Sequence, residues 1–178
     1  MHSSTEFDIL LVLGGGTLVV LQKTNKLIKV MIMNKKTNTH ALHDKGIEIV
    51  VDQLTNSGWS VYAPLNKNRS GFHLIVSKSG VTKNIMVNVK SEKSKWWSMT
   101  SSVTTKLGDN TYRVFVDVAD SKSDVYVLQN DLVADIVRIG HEKWLNSPNK
   151  NGEKHNDNQR RVFCMDDVKR FDIGINGI

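Results

Sequence analysis

Residues 84–91 alternate Ile85, Val87 and Val89 with Met86, Asn88 and Lys90. A period of two places the branched trio on one face of a β-strand and the other three on the opposite face. The branched face needs a covering layer, and the residues upstream supply one. ALHDKGIEIVVDQLTNSGW puts Leu42, Ile47, Val50, Val51 and Leu54 on one side of a helix, with Gly58 as its C-cap. Between helix and strand, WSVYAP and FHLIVSK read as two further strands, separated by Pro64 and a polar loop. Lys-Ser-Gly at 78–80 then turns the chain into the strand first described.

Downstream, SEKSKWWSMTSSVTTKLGDN reads as a loop, or as a short helix with loops. YRVFVDVA and DVYVLQ read as strands. NDLVADIVRIGHEKWL reads as a helix, with Asn130 as N-cap and Leu132, Val133, Ile136 and Val137 as its apolar stripe. A polar segment follows, and VFCMDDVKRFDI gives a strand and a short terminal helix. The expected class is α/β (α+β), a mixed sheet with helices packed against it. Residues 1–37 stand apart as an N-terminal extension, with DILLVL and TLVVLQ around Gly14–Gly16 suggesting a β-hairpin. No Gly-Lys-Ser/Thr follows the glycines, so a phosphate loop is not indicated. The main domain is expected over residues 38–178.

Several classes fall away. The apolar stretch from Ile9 to Leu21 is interrupted by glycine and is shorter than the roughly 20 residues that span a bilayer. Basic residues follow it and do not precede it, unlike a signal peptide. One cysteine, Cys164, allows neither an internal disulfide nor a CxxC zinc pattern. A cytoplasmic protein with no membrane partner is expected. The net charge of +6 suits a polyanionic partner, and equally suits a soluble lysine-rich surface.

The order helix, strand, loop, strand, turn, strand resembles the PD-(D/E)xK, or restriction-endonuclease-like, superfamily. Its pattern places Glu48 at the helix glutamate, His73 of GFHLIV at the aspartate, Asn88 at the Glu/Gln, and Lys90 of VNVKS at the lysine. The second half resembles a little-characterised bacterial branch of the superfamily through His141, Trp144, Leu145, His155, Asp157 and Asn158. The match spans about residues 40–172. It implies a restriction-endonuclease-like core, with Lys90, Glu48, Asn88 and His73 as the catalytic set, and Glu48, His73 and Asn88 as the metal ligands. The acids of such a site hold magnesium or manganese, which polarises a phosphate and lowers the pKa of an attacking water.

Two of those acids are missing. Histidine is a poor magnesium ligand and an asparagine carbonyl a weak one, so magnesium-dependent cleavage is expected to be impaired or lost. The opposing reading keeps an active DNA endonuclease, with His73 taking a softer ion and Asp52 or Glu92 supplying a displaced carboxylate. Plainer readings make Glu48 and Asp52 a solvated helix face, His73 a hydrogen-bonded sheet residue and Lys90 an exposed strand residue. Lys67, Arg69, Lys93 and Lys95 are candidate phosphate contacts, with Trp96 a candidate for stacking on unpaired bases. DNA is the expected partner, and a homodimer is compatible by analogy with nucleases that cut both strands. The competing function is a non-enzymatic module that kept the fold for a protein partner.

Overall fold

The structure, a computed structural model, describes residues 38–64 and 72–178 together with the backbone of 18–20. Its centre is a six-stranded mixed sheet in the order β1-β2-β3-β4-β6-β7. These strands are β1 (Leu18–Val20), β2 (Ser60–Pro64), β3 (Leu74–Lys78), β4 (Val81–Ser91), β6 (Thr111–Val118) and β7 (Asp124–Gln129). All pair antiparallel except β4 and β6, which run parallel from Asn84↔Thr111 to Ser91↔Val118. Ser79 (φ 51°) and Gly80 (φ 79°) form the β3–β4 turn, where positive φ matches the twist of a tight hairpin. β6 is buried along almost its whole length, as expected of an interior strand paired in parallel.

Helix α1 (Asn38–Asn56) covers one face of the sheet. Val50 and Leu54 are fully buried there with Leu74, Val76, Ile85, Val87, Val114 and Val116. Gly46 sets the approach: a Cβ at that position would lie 2.4 Å from Val89 Cγ2. Gly58 (φ 84°) ends the helical turn, and the Trp59 N–H reaches back to Leu54 O at 3.0 Å.

The opposite face is covered by the crossover from β4 to β6 and by the C-terminal elements. The crossover contains strand β5 (Trp96–Thr100) and a 3₁₀ turn (Ser101–Thr104), where the sequence suggests only loop or helix. β5 pairs antiparallel with β8 (Arg160–Cys164) in a second, two-stranded sheet. Helix α2 (Asn130–Asn146) and helix α3 (Met165–Phe171) complete this layer. Its core contains Trp97, Phe115, Leu128, Val133, Val137, Phe163 and Val168.

Two local expectations are corrected. Gln129 is the N-cap of α2, and Asn130 is a fully buried residue in its first turn with its amide directed at Arg113. Leu132 is exposed and lies outside the buried stripe of Val133, Ala134 and Val137. Near the N-terminus, 18–20 join the main sheet against β2; the rest of the expected hairpin lies outside the described residues. No described helix is long and apolar enough to cross a membrane.

Candidate functional site

The strand alternation read from the sequence sends Asn88 and Lys90 to the face of β4 away from α1. The parallel register sets Met86 beside Arg113, Asn88 beside Phe115 and Lys90 beside Asp117.

Lys90 is buried, not exposed: 5 % of it meets solvent. Its ammonium forms an ion pair with Asp117 and sits 4.8 Å from the centroid of the Trp97 ring. The second Asp117 oxygen, Oδ1, is buried without a hydrogen-bond partner among the described residues. Both contacts belong to the buried layer between the sheet and the crossover, where a charge needs a partner of opposite sign.

Asn88 faces a buried arginine. Arg113 Nη1 donates to Asn88 Oδ1 (3.3 Å) and Nε donates to Asn130 Oδ1 (2.9 Å). Asn130 is in turn fixed by donating to Thr105 O and Asp131 Oδ1. Burial lowers the Arg113 pKa to about 10, still cationic at neutral pH. No carboxylate among the described residues forms an ion pair with it.

His73 stands just before β3, edge-on to His43 of α1 with ring centroids 5.0 Å apart. Its Nδ1 accepts the Val87 N–H at 2.7 Å. In a neutral imidazole with Nδ1 as acceptor, Nε2 carries the proton. Neither nitrogen then offers a lone pair to a metal, so this arrangement is that of a hydrogen-bonded sheet histidine. A cavity of about 270 Å³ opens between His73, Asn88 and Arg113 on the sheet and Thr100 and Ser102 on the crossover.

The remaining sequence candidates do not converge here. Glu48 and Asp52 are exposed on α1, on the other side of the sheet. Glu92 is exposed in the turn after β4. Among the described residues, no three His, Cys, Asp or Glu side chains cluster in a way that would hold a metal. Lys93 and Lys95 are exposed between β4 and β5, and Lys67 and Arg69 lie outside the described residues. Trp96 is exposed, but it lines a separate groove of about 470 Å³ with Trp144, Arg160 and Arg161. That end of β5 is roughly 13 Å along the strand from Thr100.

The histidine-rich tail residues do meet. His141 Nε2 lies 2.8 Å from Asp157 Oδ1, and the Trp144 ring stacks against both His141 and His155. The bond to His141 is the main reason the Asp157 carboxyl sits below its ordinary range. Asn158 Oδ1 accepts the Arg160 N–H in a local turn that leads into β8. This set fastens the polar segment to α2.

Arg113, Asp117 and Asn130 were missed as candidates. The available signal was an arginine and an aspartate inside TYRVFVDV, a strand rich in apolar residues where a buried polar group has to find a partner.

Comparison with protein-family models and with curated protein sequences gives no match. Among solved structures, the chain is similar to a bacterial homing endonuclease, I-Ssp6803I, with a TM-score of 0.41 and 20% identity over 55% of this chain and 70% of that one. A likeness of that depth leaves residue roles to the geometry of this chain.

Proposed function

We propose that this chain is a nucleic-acid-binding protein on a PD-(D/E)xK endonuclease scaffold whose magnesium-dependent cleavage is impaired or lost. The observation that carries this reading is Arg113 bound to Asn88, at the position where the family resemblance puts a metal ligand. At an effective dielectric of 20, a dication about 5 Å from a guanidinium meets about 7 kcal/mol of repulsion. Among the described residues, no acid lines the cavity to offset it. The histidine at the aspartate position is committed to a backbone N–H, and the motif lysine is committed to Asp117. The basic balance of the chain, with exposed Lys93 and Lys95 beside the crossover, supports contact with a polyanion.

The test is a cleavage and binding series on single-stranded, duplex and branched DNA. It uses magnesium and then manganese, beside a Lys90→Met/Asp117→Leu variant that keeps the buried site neutral. Binding that weakens steeply between about 50 and 200 mM salt, without cleavage, is the expected result. Cleavage that disappears in the variant would establish a rebuilt active site. Absence of binding to any of the three DNAs would move the case to a protein partner.

A further inference from the structure

We propose that the cavity at Arg113 binds a phosphate group, held directly by the guanidinium with no bridging cation. The proposal takes the source of the phosphate from the nucleic-acid reading above, while the pocket itself stands on its own geometry.

Arg113 is 4 % exposed and forms no ion pair with a carboxylate among the described residues. Buried charges are normally paired, because the cost of removing them from water is otherwise left uncompensated. Arginine cannot escape that cost by losing its proton at neutral pH. Both of its hydrogen bonds go to neutral amide oxygens. A guanidinium has five N–H donors. Two are used, which leaves three without a partner among the described residues.

The rest of the lining is suited to an anion. Asn88 and Asn130 hold the guanidinium plane from two sides, so its fork is set before a ligand arrives. On the facing wall, the Thr100 and Ser102 hydroxyls lie 2.7 Å apart and bond to each other, so only one of their two protons is committed to that bond. Among the described residues, no acidic side chain lines the cavity. Its volume of about 270 Å³ falls just below the roughly 300 Å³ at which pockets for drug-sized ligands begin. That space suits one phosphate group and its waters better than a whole nucleotide.

The phosphate can be an internal phosphodiester, a strand-terminal monoester or free inorganic phosphate. These share their chemistry, and the experiment separates them. Inorganic phosphate is titrated into the full chain at constant ionic strength, following the Arg113 Nε–Hε resonance by nitrogen NMR and the thermal midpoint. The same series is run on Arg113→Gln, which removes the charge, and on Arg113→Lys, which keeps the charge and loses the fork. Oligonucleotides of one sequence, with and without a 5′-phosphate, follow.

The expected result is a saturable shift of the Arg113 resonance and a raised midpoint, with affinity at least roughly tenfold weaker in Arg113→Gln and intermediate in Arg113→Lys. Preference for the 5′-phosphorylated strand would assign a terminal phosphate. Equal binding of both strands, weakened by Arg113→Gln, would assign an internal one. Phosphate binding without oligonucleotide binding leaves the pocket standing and removes the nucleic-acid reading. An Arg113 resonance unmoved by phosphate and by bound oligonucleotide overturns the proposal, even where DNA binding itself persists.

Discussion

Replacing Asp117 by asparagine should destabilise the protein by about 3 kcal/mol. The substitution keeps the side-chain volume and removes the counter-ion of Lys90, whose side chain is 4 % exposed against 14 % for Asp117. Breaking a buried pair from one side costs roughly 3–5 kcal/mol, because the remaining charge stays desolvated. The low end applies here. The Trp97 ring keeps part of its attraction for the ammonium. For a chain of this size, each kcal/mol moves the thermal midpoint by roughly 2–4 °C, so a drop of about 6–12 °C is expected. Urea unfolding followed by tryptophan fluorescence is the direct assay, since Trp97 lies beneath Lys90 and donates its indole N–H to Val116 O. The double variant Lys90→Met/Asp117→Leu removes both charges and should unfold within about 1 kcal/mol of wild type. Asp117→Asn within about 0.5 kcal/mol of wild type, the range of an ordinary surface change, would refute the reasoning. So would a double variant as unstable as the single one. A bare Lys90→Ala substitution is for the same reason a poor catalytic control, because lost stability would accompany any lost activity.

Gly46→Ala should destabilise by about 1–3 kcal/mol in urea unfolding, since its Cβ would overlap Val89; adding Val89→Ala should weaken the effect of the new methyl. Trp97→Ala should cost about 3–5 kcal/mol, whereas the adjacent exposed Trp96→Ala should cost about 1 kcal/mol or less. Asp131 accepts the N–H groups of Leu107 and Gly108, and chiefly the bond from Leu107 holds its pKa below the ordinary 3.8. A depressed carboxyl pKa makes this clamp complete above the ordinary value and lost as pH falls through the lower folded one. Amide exchange at Leu107 should show protection that persists below pH 3.8 and falls as the carboxyl protonates, whereas Asp131→Asn, whose amide oxygen does not titrate, should show protection independent of pH across that range and Asp131→Ala should lack it throughout. Cys164 has its thiol pKa pushed up, first by desolvation and then by Asp167 and Asp166. Its alkylation at mildly alkaline pH should therefore be slower than that of free cysteine, and faster in Asp166→Asn/Asp167→Asn.

The elements that a reader of the sequence recovers are those with a clean period. β4 alternates from Ile85 to Lys90, and α1 repeats its apolar residues every three or four positions; both occur where the spacing places them. β5 was hidden because Trp96–Thr100 is short, sits among Ser and Lys, and is a strand only through its partner β8, some sixty residues later. The site was half legible. Asn88 and Lys90 share a strand face, as their spacing requires, but no local pattern shows that Lys90 meets Asp117 across a parallel register. Nor does it show that Asn88 meets Arg113. The carboxylate called for by the helix motif, Glu48, was placed correctly on a helix and yet faces solvent, because the Gly46 contact turns another side of α1 to the sheet.

The pairing of β5 with β8 also bears on how the chain comes to be folded during synthesis. Trp97 and Phe115 are covered in part by Phe163 and Val168, which lie more than fifty residues later in the chain than β5. At roughly 5–20 residues per second, the interval between Trp97 and Phe163 takes about 3–13 s to translate. For that time the first-made half can close its α1 layer while the aromatic surface on the far side of the sheet lacks the part of its cover that Phe163 and Val168 provide. The layer is complete only when β8 pairs with β5 and brings Phe163 onto Trp97 and Phe115.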